Sequence, residues 1–265
     1  MYLASKILSK KIYLFSLCLI VIPLLPALYI PTLGERVFAE RYLYLPSFGF
    51  VLLLAQLFTE EMASVPQRIF ARSVILFIVI GLFFMGTAYR NTIWKDSHTL
   101  WLDATKKSPD SAAAHEYLGY ALYSRGWLDQ AIGQYRIVLS LDVRRSDTHL
   151  NLGVAYALKG WTDKAIEEYK TALTLRPNFA EAHSNLGLAF INKGLLDQAI
   201  EECQTALTLN PYLADAHHNL GIAYVIQGRV DEAIKAFNMA VTLNPDNQNY
   251  RDNLAKAWAL KKAGH

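Results

Sequence analysis

Hydrophobic and polar residues are distributed unevenly along the chain. The apolar excess lies almost entirely before Arg90, and most charged residues follow it. Residues 12–34 contain no charged side chain, and a helix needs about 20 apolar residues to cross a bilayer. Two shorter apolar runs come next, so the pattern predicts a membrane region over residues 1–90. The predicted spans lie near 12–33, 43–59 and 70–89.

After Arg90, small and apolar residues recur with a period of 34 residues. A leucine-glycine pair, a later glycine and a later alanine all keep this register, and a proline closes most of the units. This pattern is typical of the tetratricopeptide repeat (TPR), in which each unit is a helix pair. The recurring pairs are Leu118-Gly119, Leu152-Gly153, Leu186-Gly187 and Leu220-Gly221.

The register also predicts the domain boundaries. Residues 91–111 are expected to form a linker and a partial repeat helix, and residues 248–265 a capping helix. Val143 occupies the position that proline holds in the other units. The predicted fold is all-α, with three transmembrane helices followed by a TPR α-solenoid, a right-handed superhelix of helix pairs. The four complete repeats are 112–145, 146–179, 180–213 and 214–247.

The charge pattern and the cysteine content exclude several classes of function. The net charge is only +3 and the basic residues form no stripe, so nucleic acid is not an expected partner. Cys18 and Cys203 lie in different parts of the chain, which excludes a disulfide framework. No catalytic constellation, cofactor-binding loop or metal-ligand spacing occurs in the repeats, so we predict no catalytic residue, cofactor or metal.

An asparagine recurs once in each of three repeats and once in the capping helix. A side-chain amide both donates and accepts hydrogen bonds, so a column of amides could hold a peptide backbone whatever its sequence. The alternative is that asparagine is simply common at this position of the repeat. The sequence around the second asparagine, residues 181–187, resembles the repeats of the O-linked N-acetylglucosamine transferase superhelix. In that family an asparagine ladder holds the substrate backbone. The column is Asn151, Asn185, Asn219 and Asn253.

Two further columns follow the same period. Asp147, Glu181 and Asp215 stand near the predicted starts of first helices, which favours a role as exposed helix-start residues. Acids such as Asp129 begin the second helices, where they are expected to complement the helix dipole and to cap the first turn. The histidine column favours packing over metal binding, because neighbouring helices are too far apart to share a zinc ion. It comprises His115, His149, His183 and His217.

Two segments beside the predicted spans resemble a particular family of glycosyltransferases. Residues 38–50 and 89–97 are similar to segments of the transmembrane-and-TPR O-mannosyltransferases. The resemblance implies a C-type enzyme that uses a polyprenyl-phosphate sugar. That family's acidic catalytic residues lie in a loop after the first span, and nothing here matches that loop. Glu40 and Arg41 are therefore either residues at the membrane interface or part of a lipid-phosphate site.

Two functional hypotheses follow. In the first, the chain is a membrane-anchored TPR scaffold that binds a protein or peptide in its concave groove. In the second, it is the C-terminal part of a polyprenyl-phosphate-sugar-dependent protein O-glycosyltransferase, with the repeats presenting the protein substrate. The chain alone is not expected to be an enzyme. Its expected partners are a polypeptide and membrane lipid, and its expected location is a bacterial or archaeal cytoplasmic membrane with the repeats outside the cytoplasm.

Overall fold

The computed structural model describes residues 95–264, together with Ile78 and Met85. The described part is an array of α-helices. Contacts divide the chain into two compact units, residues 1–118 and 119–265. The helices are α1 (Ser97–Lys107), α2 (Ala112–Tyr123), α3 (Leu128–Leu141), α4 (Ser146–Leu158), α5 (Thr162–Leu175), α6 (Ala180–Asn192), α7 (Leu196–Leu209), α8 (Ala214–Ile226), α9 (Val230–Leu243) and α10 (Gln248–Lys262).

The three predicted membrane spans lie outside the described residues, apart from Ile78 and Met85, which are both helical. Two of the predicted site residues, Glu40 and Arg41, also lie outside the described part of the chain. Among the described helices, none combines the length and the apolar character needed to cross a bilayer.

In the first unit, the chain enters the repeats through a capped helix. The carboxylate of Asp96 accepts a hydrogen bond of 2.9 Å from the backbone N–H of Thr99, which satisfies a free donor of the first turn of α1. The Trp101 ring on α1 stacks on the Tyr117 ring of α2 with 4.4 Å between the ring centroids. The helix α1 thus packs against α2 through this ring contact.

Each helix pair of the second unit turns on a glycine, as the sequence predicts. Gly160 has φ +74°, a backbone conformation that residues with a Cβ rarely adopt. Its N–H donates to the carbonyl of Ala157, and the N–H of Trp161 donates to that of Tyr156. These bonds satisfy the last carbonyls of α4 and reverse the chain into α5.

A second glycine allows the two helices of each repeat to approach closely. A Cβ placed on Gly153 of α4 would lie 2.5 Å from the Tyr169 ring carbon Cε1 on α5, which is not possible without movement. In the next repeat, Gly187 meets the Cys203 sulfur instead of a ring. Burial raises the pKa of the Cys203 thiol to about 12, so the thiol stays protonated and packs as a small apolar group.

Only one of the two roles expected of the acids that begin the second helices agrees with the structure. They lie in the first turn, where they complement the helix dipole, but the prediction that they cap it is wrong because the N-cap residues make no side-chain cap bond. Each acid instead accepts a hydrogen bond from a residue 30 positions later. The pairs are Asp129 with Lys159, Asp163 with Lys193 at 2.6 Å, Asp197 with Gln227 at 2.8 Å and Asp231 with Lys261 at 2.7 Å.

The close approach of the two helices predicts opposite effects for two glycine substitutions. Gly153→Ala should lower the free energy of unfolding by about 1–3 kcal/mol, because the buried Tyr169 ring must move. Gly133→Ala should raise it by about 0.5–1 kcal/mol, because a Cβ there meets nothing within 4 Å and the helix gains from the loss of glycine. Urea unfolding of the full chain in detergent, followed by far-ultraviolet circular dichroism, measures both. Equal effects of the two substitutions would contradict the prediction.

Candidate peptide-binding surface

The four asparagines of the sequence column lie on one face of the first helices and the capping helix. Residues spaced i, i+4, i+7 and i+11 share a helix face. This surface, called here the asparagine face, is formed by α4, α6, α8 and α10. Its residues are Asp147, Asn151, Val154 and Leu158; Glu181, Asn185, Leu188 and Asn192; Asp215, Asn219, Ile222 and Ile226; and Asn249, Asn253, Lys256 and Leu260.

Contacts between helices place the first helices on the inner side of the second unit. The helices α4, α6 and α8 contact one another in sequence, whereas the second helices α5, α7 and α9 contact each other less. Elements that lie closer together are on the inside of a curve. The helices that carry the asparagine face are therefore the inner ones of this unit, and the inner side of a stack of repeats offers an extended binding surface.

Three of the four asparagines form a hydrogen bond with a residue of the preceding repeat. The Nδ2 of Asn151 donates to the Tyr120 hydroxyl at 2.7 Å. Asn219 is buried, and its Nδ2 donates to the backbone oxygen of Ser184 at 3.2 Å. These bonds join successive first helices across the asparagine face. Part of the amide column thus stabilises the array itself.

The asparagine of the capping helix, Asn253, contacts a histidine of the preceding repeat. The Asn253 Nδ2 lies 2.8 Å from the His218 Nε2, and the His218 ring stacks on the Tyr250 ring with 4.6 Å between the centroids. Burial lowers the pKa of His218, which favours a neutral ring that can accept from the amide. The last asparagine therefore attaches α10 to α8.

Asn185 is the exception in the column. It is half-buried, and its side chain makes no hydrogen bond to any residue that the structure describes. It lies one helical turn after Glu181 and about one turn before the exposed Leu188, on the second of the four helices that form the asparagine face. Its amide therefore keeps both a donor and an acceptor available for a ligand.

The acidic column of the sequence also lies on the asparagine face, and its members differ in their partners. The Arg176 Nη2 donates to Asp147 at 2.7 Å, and the guanidinium lies 3.3 Å from the centroid of the Phe179 ring. Asp215 accepts from the Tyr250 hydroxyl. Burial, and then this carboxylate, raise the pKa of Tyr250, so it remains a neutral donor. Asp147 is thus the acid whose charge is offset by a cation.

The histidine side chains of the column contact the backbone of the turns between repeats. In each case the ring Nε2 contacts the carbonyl oxygen six residues earlier, at 2.9 Å for His115 and 3.0 Å for His149, His183 and His217. His149 contacts the Val143 oxygen in this way, so the missing proline does not prevent the contact. No group of three or more residues suited to a metal ion occurs within residues 95–264.

Exposed apolar side chains complete the asparagine face. Leu158, Leu188, Ile226 and Leu260 are exposed, and each lies on a different helix. Sequence reasoning did not identify these residues, although the 34-residue register places Leu158, Ile226 and Leu260 at equivalent positions. The face therefore offers apolar contact area beside its amides and acids.

Comparison with known proteins identifies the class. Models described as "TPR repeat" match residues 158–194 and 187–225, and models described as "Tetratricopeptide repeat" match 87–147 and 214–247. The chain belongs to the tetratricopeptide-repeat superfamily.

The curated proteins that are similar in sequence have a more specific name than the superfamily, protein O-mannosyl-transferase. The chain is 30% identical over 146 residues to the protein O-mannosyl-transferase TMTC3 of Mus musculus, and 34% identical over 134 residues to TMTC2 of the same species. The matches cover 54% and 49% of this chain, but only 15% and 16% of those relatives. These relatives are animal proteins, so they give no support to the expected bacterial or archaeal origin.

Solved structures with the same fold are more distant. TTC0263, a TPR protein of Thermus thermophilus, has a TM-score of 0.54 at 24% identity, over 65% of this chain and 94% of that one. MamA has a TM-score of 0.52 at 24% identity, over 59% and 93%. These likenesses establish the helical repeat fold.

The different environments of the asparagines predict different effects on stability. Asn219→Ala should lower the free energy of unfolding by about 1–3 kcal/mol, because it removes buried hydrogen bonds to Ser184. Asn185→Ala should change it by less than about 0.5 kcal/mol, because no bond within the described residues is lost. Urea unfolding of the full chain in detergent compares the two. A larger loss for Asn185→Ala would contradict the described geometry.

Proposed function

We propose that the chain is a scaffold that binds an extended polypeptide along the asparagine face. The observation that carries this proposal is Asn185, a half-buried amide with no partner among the described residues, beside the exposed Leu188. An amide in this setting can pair with a peptide backbone, while the apolar side chain adds contact area. The absence of a lysine and arginine set on α4, α6 and α8 argues against recognition of a peptide carboxylate.

Related folds support a peptide ligand in general terms. The structure of YrrB is described as that of a TPR protein with an unusual peptide-binding site; its TM-score is 0.50 at 20% identity, over 62% of this chain and 84% of that one.

The predicted spans in residues 1–90 would attach the scaffold to a membrane. Location of the repeats outside the cytoplasm is part of the same proposal.

Selection of peptides against the full chain tests this function. Random peptides displayed on phage are panned against the detergent-purified protein, and selected peptides are measured by fluorescence anisotropy. Asn185→Ala should weaken their binding by roughly five- to tenfold, the effect of losing about 1–1.5 kcal/mol of hydrogen bonding.

Asn238→Ala is the matched control, because Asn238 is an exposed asparagine on the second helix α9. It should leave binding unchanged. Failure to select any peptide, or equal losses in the two variants, would contradict the proposed function.

A second candidate function follows from the similarity to the O-mannosyl-transferases. The repeats would present a protein substrate as the C-terminal part of an enzyme that uses a polyprenyl-phosphate sugar. Membranes containing the full chain are supplied with polyprenyl-phosphate mannose and an acceptor protein, and transfer of labelled sugar is measured. We expect no transfer above that of membranes without the chain, and transfer above this level would favour the enzyme over the scaffold.

A further inference from the structure

The asparagine face carries three parallel rows of different chemistry. The acids lie at the starts of α4, α6 and α8, the amides one turn later, and the exposed apolar side chains toward the ends of the helices. On α6, Glu181 and Leu188 are separated by seven residues, which is about 10 Å along the helix axis. The amide row lies between the acidic and apolar rows.

Only the first of the three acids in the acidic row has a cation partner among the described residues. The helices α4, α6 and α8 contain one acid each and no lysine or arginine. Asp147 has Arg176 as its partner, but the positions equivalent to Arg176 in the next two repeats are Asn210 and Asn244. The arginine that offsets the first acid is therefore not repeated.

The two later acids remain accessible to a ligand. Glu181 is exposed, and Asp215 is exposed and accepts only from the neutral Tyr250 hydroxyl among the described residues. Among the residues that form the asparagine face, the cation is Lys256 on α10. The asparagine face over α6 and α8 is therefore negatively charged along the acidic row.

An extended peptide has a matching two-sided pattern. Successive side chains of an extended chain point to opposite sides. A peptide whose backbone follows the amide row would direct alternate side chains toward the acids and toward the apolar row. Charge complementarity then requires basic residues on the first side, and burial requires apolar residues on the second.

We infer that the asparagine face over α6 and α8 binds an extended segment in which basic and apolar residues alternate. This inference rests on the proposed function, and it adds the chemical class of the ligand. Glu181 and Asp215 attract the basic side chains, Asn185 pairs with the backbone, and Leu188 and Ile226 contact the apolar side chains.

Three labelled peptides of equal length and about eight residues, enough to cross three helices, test the inference. One alternates lysine and valine, one has the same composition in two blocks, and one alternates glutamate and valine. Anisotropy with the full chain in non-ionic detergent should give the tightest binding for the first. Glu181→Lys should weaken that binding roughly three- to tenfold, and Glu181→Gln by less, as expected for a partly exposed charge pair.

Glu201→Lys is the matched control, because Glu201 is exposed on the second helix α7. It should leave binding unchanged. Equal binding of the three peptides, or equal effects at positions 181 and 201, would overturn the inference. If the inference is overturned in this way but phage-selected peptides still bind through Asn185, the proposed function stands without the preference for alternating basic and apolar residues. If no peptide binds at all, both are rejected.

Discussion

The contact between a glycine on the first helix and the second-helix side chain that fills its missing Cβ position is the constraint on which each repeat depends. At Gly153 the Tyr169 ring occupies the space that a Cβ would need, so the helix axes approach as closely as the ring allows. The second helix then buries its alanines, and the first helix presents its opposite side to solvent. The asparagine face exists because this contact fixes which side of α4 is buried.

The sequence was sufficient to predict the helix pairs, because their glycines and alanines have one physical role in every repeat. It was also sufficient to place the asparagines in one column. It could not show that Asn219 is buried against Ser184 while Asn185 has no side-chain partner among the described residues. That difference depends on neighbours 31 to 35 residues away, which differ from repeat to repeat.

In the proposed function, the asparagine face combines contacts within the array and recognition of a ligand in one set of equivalent positions. Asn151 and Asn219 bond to residues of the preceding repeat, whereas Asn185 has no side-chain partner among the described residues and is the amide proposed to bind a ligand. The same division holds among the acids, because Asp147 pairs with Arg176 while Glu181 has no cation partner among the described residues. A repeat array can thus acquire a local specificity by changing which members of a column have internal partners.

The contact between the acid that begins a second helix and the residue 30 positions later has a consequence for how such an array changes in length. Asp163 accepts a hydrogen bond from Lys193, and the same separation of 30 residues recurs between Asp197 and Gln227. Duplication or loss of a whole repeat preserves every such pair, whereas a shorter insertion would shift all the pairs it separates. The chain can therefore grow or shrink only in whole periods without losing the links between its units.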